Sequence, residues 1–151
     1  MVINKILFLM AVILVGCNVQ PESIQYGKET CRYCQMNIVD ARYGAQLVTT
    51  KGKTYKFDAV ECMINFKMES SLTDSDYAHV VINSFDKKGD LVPAETSVFL
   101  RSSELPSPMG MYITPFVSLA TAEEQQSIHG GEILNWHQLN SNFRSLPNVS
   151  K

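Results

Sequence analysis

A chain of 151 residues is long enough for one domain with a real core, and not for several. With 45% hydrophobic and 19% charged residues it is too apolar to remain disordered. A formal charge of -2, with no run of Lys or Arg, removes the electrostatic basis for nucleic-acid binding.

Lys5 precedes an unbroken apolar run, Ile6 to Val15. Ten residues are too few to span a bilayer, which needs roughly 20, but they match the apolar region of a secretory signal. Leu14-Val15-Gly16-Cys17 follows and has the form of a bacterial lipobox. Residues 1–16 are therefore read as a lipoprotein signal peptide, and Cys17 as the residue that carries lipid and holds the chain to a membrane. Residues 17–30 are polar, contain Pro21 and Gly27, and read as anchor and tether. The folded domain is expected over 31–140, with a flexible tail over 141–151.

Within the domain, residues 44–49 alternate weakly and predict a strand, Lys51-Gly52 a turn, and 53–57 the partner strand. Asp58 and Glu61 stand at capping-box spacing before a helix over 59–69. Residues 73–76 read as a loop, 78–82 as a strand and 87–90 as a turn. The second half repeats the order. Residues 97–101 form a strand, 102–110 a loop with Pro106, Pro108 and Gly110, and 112–116 a strand. A helix over 119–128, capped through Thr121 and Glu124, ends at Gly130-Gly131. Residues 132–134 are a last strand and 136–139 a short helix. The fold class is α+β, two pseudo-repeated ββαβ units with mostly antiparallel strands.

With Cys17 assigned to lipid, Cys31, Cys34 and Cys62 remain, an odd number for an oxidising compartment. Cys31-Arg32-Tyr33-Cys34-Gln35-Met36 places three sulfur side chains within six residues. Thiolate and thioether together select Cu(I) over hard cations, whereas zinc prefers thiolate with imidazole. The bare C-x-x-C is equally compatible with a redox pair, a zinc half-site or a structural disulfide. Ser107-Pro108-Met109-Gly110-Met111 offers two further thioethers in a Pro-bounded loop. Met109 is the better candidate ligand, and Met111 leads into a strand. His129 closes a helix, where its charge suits the dipole, and is a secondary ligand candidate. Cys62 reads first as a small buried hydrophobe, and only second as a ligand. His79 and His137 read as structural, and Asp40 and Asp58 as turn or cap residues. No catalytic triad, phosphate loop or dinucleotide fingerprint is present, so an enzyme is not expected.

Taken in order, Cys31-x-x-Cys34-x-Met36, Tyr43-x-Ala45-Gln46 and Gly52-Lys53-x-Tyr55-x-Phe57-Asp58 resemble the first half of NosL, the accessory-protein family of nitrous-oxide reductase. Residues 97–101, Pro108-Met109-Gly110, Pro115-Phe116, Ala120 and His129-Gly130-Gly131 resemble its second half. The resemblance implies a periplasm-facing lipoprotein that binds one Cu(I) and delivers it for maturation of nitrous-oxide reductase, together with an ABC-transporter assembly complex. It implies a pair of ββαβ units, similar to organomercurial lyase. It also implies Cys34, Met36 and Met109 as metal ligands, with Cys31 matching the first Cys; His129, Cys62 and Met111 stay less favoured candidates from the reading of the residues. The chain departs from the family pattern at Gln35, where Gly is usual, at the added Met111, and at Cys62. The alternatives to a Cu(I) chaperone are a thiol-disulfide redox protein and a zinc-stabilised binding module.

Overall fold

The computed structural model describes residues 19–146. The expected signal peptide, lipidated Cys17 and last five residues lie outside them. Among the described residues the elements run β1 (Ala45–Thr49), β2 (Thr54–Phe57), α1 (Val60–Glu69), β3 (Tyr77–Ile82), β4 (Val92–Pro93), β5 (Val98–Arg101), β6 (Ile113–Phe116), α2 (Leu119–His129), β7 (Glu132–Asn135) and α3 (Trp136–Asn142). Short 3-10 turns cover Asp74–Asp76, Ala94–Thr96 and Phe143–Ser145. No described helix is long and apolar enough to cross a membrane.

Two antiparallel sheets form, ordered β2-β1-β3-β4 and β6-β5-β7. In each, the first strand of the ββαβ unit lies at the centre, between its hairpin partner and the strand that follows the helix. The pairs Ala45↔Phe57 with Ala45↔Ile82, and Val98↔Phe116 with Val98↔Asn135, show the same arrangement twice. The α+β class and the repeated order expected from the sequence are both present. A shared core joins the halves: Leu47, Phe57, Met63 and Ile64 pack with Phe99, Ile113, Leu139 and Phe143. Fully burying each such side chain contributes about 1.5–3 kcal/mol.

The alternation of β1 is weak because both its faces are covered. All five residues are buried. Gln46 is fully buried, yet its amide donates to the Glu22 carbonyl and accepts from the Glu22 N–H, both at 2.8 Å. The residues that cover it belong to the segment expected to be a tether. From Val19 onward that segment is part of the domain. His79 Nε2 contacts the Val19 carbonyl at 2.8 Å, Ile24 is buried, and Tyr26 donates to Asn83 Oδ1 at 2.7 Å. Polar composition hid a strap whose hydrogen bonds are made with the sheet. Part of the expected tail belongs to the domain for a similar reason: Phe143 is buried in the core and begins a 3-10 turn over Phe143–Ser145.

Both expected capping boxes are replaced. The N-cap of α1 is Ala59, which has no capping side chain, and Asp58 and Glu61 are buried instead. The N-cap of α2 is Ser118, whose hydroxyl accepts from the Thr121 N–H at 3.3 Å. Asp86 supports the same helix end, accepting from the Val117 and Ser118 N–H groups at 3.0 and 2.9 Å.

Candidate metal centre

The segment before β1 is a tight hairpin built around its cysteines. Thr30 bridges Asn37, the Cys31 N–H donates to the Met36 carbonyl at 2.8 Å, and the Gln35 N–H donates to the Cys31 carbonyl at 3.1 Å. Gln35 adopts φ 61°, the left-handed region. That is a backbone conformation that glycine adopts at no steric cost and other residues rarely do. The Gln35 amide partly offsets the strain by donating to the Arg32 carbonyl at 2.9 Å. Arg32 in turn donates its N–H to the Lys56 carbonyl at 2.8 Å, tying the hairpin to β2. Because β2 runs directly into α1, the first turn of that helix is brought beneath the hairpin.

The result is a cluster of three free thiols. The Sγ atoms of Cys31, Cys34 and Cys62 all lie within 4.8 Å of one another. Cys31 and Cys62 are fully buried, while Cys34 is partly exposed. Sequence reasoning undervalued Cys62. The available signal was its place in the first turn after β2, but that becomes informative only once the hairpin is known to be tied to β2.

The thiols are not equivalent. The Cys62 thiol donates toward Cys31, and hydrogen bonds from the backbone at Asp58, Cys34 and Tyr33 add to it, so the Cys31 pKa falls to about 5 against the cost of burial. Cys31 sits at the positive N-terminal end of α1, a setting that stabilises a thiolate. Cys62 is pushed far upward, first by its hydrogen bond to Cys31 and then by burial. Burial also raises Cys34, although the Met36 backbone lowers it in part. The arrangement thus favours a thiolate on Cys31 over one on Cys34 or Cys62.

Two acids lie close by. Burial and then the negative charge of Cys31 raise the pKa of Asp58, whose Oδ1 accepts no hydrogen bond among the described residues. Glu61 is completely buried and raised to about 7 by desolvation. Its Oε1 accepts from the Ser107 hydroxyl, and Ser107 Oγ accepts from the Tyr112 N–H at 2.9 Å. This chain of bonds fastens the Met109–Met111 loop to α1. Met109 and Met111 are half-buried and pack against the same core as Cys31, Cys34 and Cys62. Met36 is 48% exposed at the surface.

His129 does not join the thiol group. Its carbonyl accepts from Ser102 Oγ at 2.7 Å at the end of α2. The second glycine after it has a packing reason: a Cβ on Gly131 would lie 2.2 Å from the Arg101 carbonyl oxygen. Asp40 pairs with Arg42, and His137 is exposed. Among the described residues, no His, Asp or Glu completes a fourth corner of the cluster.

No curated protein matches this chain in sequence. The structure is similar to the crystal structure of the copper chaperone NosL from Shewanella denitrificans, with a TM-score of 0.67 and 19% identity over 80% of this chain and 95% of that one. At that identity the likeness establishes the fold. The NosL family model matches residues 23–143, most of the chain. That match agrees with the expectation of a non-enzymatic protein, and by it the chain belongs to the NosL family.

Proposed function

We propose that this protein is a Cu(I) chaperone, anchored by lipid on Cys17 and facing the periplasm, that delivers copper for maturation of nitrous-oxide reductase. The observation that carries the reading is the cluster of three reduced cysteine sulfurs within 4.8 Å, with one of them at the surface. Family membership supports it, as does the copper-chaperone description of the similar Shewanella protein. The donor chemistry favours copper over zinc. A structural zinc site wants four Cys or His ligands, and the described residues supply three. Soft sulfur in low coordination number suits Cu(I).

In this reading Cys34 and Met36 present the metal at the protein surface. Met109 closes from the second loop, and Cys31 supplies the resident thiolate. The recipient's ligands displace these sulfurs one at a time. By the family resemblance, the recipient side is nitrous-oxide reductase with its ABC-transporter assembly complex.

Titration of the full chain in detergent with Cu(I), under anaerobic reducing conditions and against a competing chelator, tests the proposal. One tightly bound Cu(I) per chain, lost in Cys34→Ser, is the expected result. Weak Cu(I) binding beside tight Zn²⁺ binding, or no binding of either, rejects it.

A further inference from the structure

The sulfur side chains around the hairpin differ in solvent access. Met36 is 48% exposed, Cys34 is partly exposed, and Cys31 and Cys62 admit no solvent. In solvent access Cys34 is intermediate between Met36 and the buried pair Cys31 and Cys62. With all three Sγ atoms within 4.8 Å of one another, a point exists no more than about 2.8 Å from each. Metal–thiolate bonds are about 2.3 Å long, so side-chain adjustments of about half an ångström close three of them around one ion. Cys31 and Cys62 are buried in the core, whereas Cys34, in the same hairpin as Cys31, is partly exposed at its edge.

We propose that Cys31, Cys34 and Cys62 hold Cu(I) in a closed trigonal sulfur site, and that Cys34 is the pivot by which the ion passes to an open position with Met36. This rests on the copper-chaperone reading and gives that site a storage position and an exit. Each thiol still protonated releases its proton to solvent as its Cu–S bond forms. The ion remains Cu(I) throughout, so no electron is moved. On the way out, the bonds to Cys31 and Cys62 break, each released sulfur takes back from solvent any proton it gave up on binding, the bond to Cys34 persists, and the Met36 thioether takes a vacated place until a recipient's sulfur or nitrogen displaces it. The two positions explain how one chain both retains copper against loss and releases it on contact. The buried sulfurs set affinity, and the exposed thioether sets the rate of transfer.

The test uses the full chain in detergent, loaded with one equivalent of Cu(I) without oxygen, as wild type, Cys62→Ala, Cys62→Ser and Met36→Leu. Three measurements are made: the number of sulfur neighbours by copper X-ray absorption, the affinity by chelator competition, and the rate of transfer to an excess of a bidentate Cu(I) chelator. Wild type should show three sulfur neighbours. Both Cys62 variants should lose one, with affinity down by about tenfold or more, since loss of even an outer-shell partner costs 10- to 100-fold, and with faster transfer. Met36→Leu should keep three sulfur neighbours, lose less affinity than either Cys62 variant, and transfer more slowly. Cys62→Ser preserves side-chain size where alanine loosens the core, and thermal melts identify any variant that has not folded. One-to-one binding that is unchanged in affinity, sulfur count and rate in a folded Cys62 variant overturns the closed site while leaving the chaperone reading intact. Absence of Cu(I) binding by wild type overturns both.

Discussion

The two ββαβ units place an anion at the same point and use it differently. In each, the second strand ends on a fully buried Phe, Phe57 or Phe116, and the helix cap lies two residues further on. At α2 the anion is Asp86, a carboxylate held by the N–H groups of Val117 and Ser118, and Ser118 adds a side-chain cap. At α1 the equivalent backbone, at Asp58, is bonded to the Cys31 sulfur, and the cap residue Ala59 offers no side chain. The positive end of a helix stabilises either anion. A carboxylate there secures a fold, whereas a thiolate there keeps a soft metal ligand deprotonated. The surroundings diverge accordingly. Val60, Glu61, Cys62, Met63 and Ile64 are all buried in α1, while in α2 only Ala122 is.

The largest expected effect comes from exchanging the two anions' chemistry. Cys31→Ser removes the resident thiolate and should weaken Cu(I) binding by about a thousandfold, or about 4 kcal/mol, as read by chelator competition. Asp86→Asn should leave that affinity unchanged and cost only about 1 kcal/mol of stability through the helix end. Equal copper affinity in wild type and Cys31→Ser would show that the thiolate at α1 is as structural as the carboxylate at α2.

The pH dependence separates the same two groups in the reduced, metal-free protein. Cys31 falls from 9.0 to about 5 on folding. Its contribution is therefore complete above pH 9 and lost as pH falls through about 5. Cys62, shifted upward, acts in the opposite sense and penalises folding above pH 9. Burial pushes Asp86 up, but its backbone hydrogen bonds win and hold it below the usual carboxylate range. Its contribution persists down to about pH 4 and is lost only below that. Thermal melts across pH should show the gap between wild type and Cys31→Ser closing from pH 9 to 5. The gap for Asp86→Asn should stay constant over that range. Parallel curves for the two variants would mean that Cys31 is not the thiolate.

Ser107→Ala tests how far the second unit supports the site of the first. It strips the buried Glu61 of its hydroxyl partner and leaves the Tyr112 N–H without its acceptor. The expected loss is about 1–3 kcal/mol, measured by denaturant unfolding, with the Glu61 pKa rising further above about 7. A loss within error would mean that the Met109 loop holds its place by apolar packing alone.

Much of the fold was legible because its signals are local. The turn at Lys51-Gly52, the apolar face of Val60, Met63 and Ile64, and the stop at Gly130-Gly131 each act over a few residues. Similar topology in both units then follows from similar order. The misplaced features depend on distant partners. Glu61 has the spacing of a capping-box residue, but it is 46 residues from the Ser107 that claims it. Residues 19–30 have a linker's composition, yet Gln46 and Asn83 anchor them. The site was legible to the extent that its ligands share a segment, as Cys31 and Cys34 do. Cys62 has no cysteine near it in sequence, and long-range ties such as Arg32–Lys56 and Tyr33–Glu69 bring it beside the others.

The smallest effect concerns the left-handed residues that mark both sulfur-bearing loops, Gln35 at φ 61° and Tyr112 at φ 62°. Gln35→Gly removes a side-chain clash with the backbone worth about 1–2 kcal/mol, but it frees the unfolded chain by about 0.5–1 kcal/mol and gives up the bond to the Arg32 carbonyl. The net change should lie within about 1 kcal/mol of zero. Gln35→Ala keeps the strain and loses the bond, so it should be less stable than Gln35→Gly by about 1 kcal/mol. Paired denaturant curves resolve that difference. If the two variants unfold together, the left-handed turn is set by the hairpin's bonds at Cys31 and Met36 and not by the side chain at position 35.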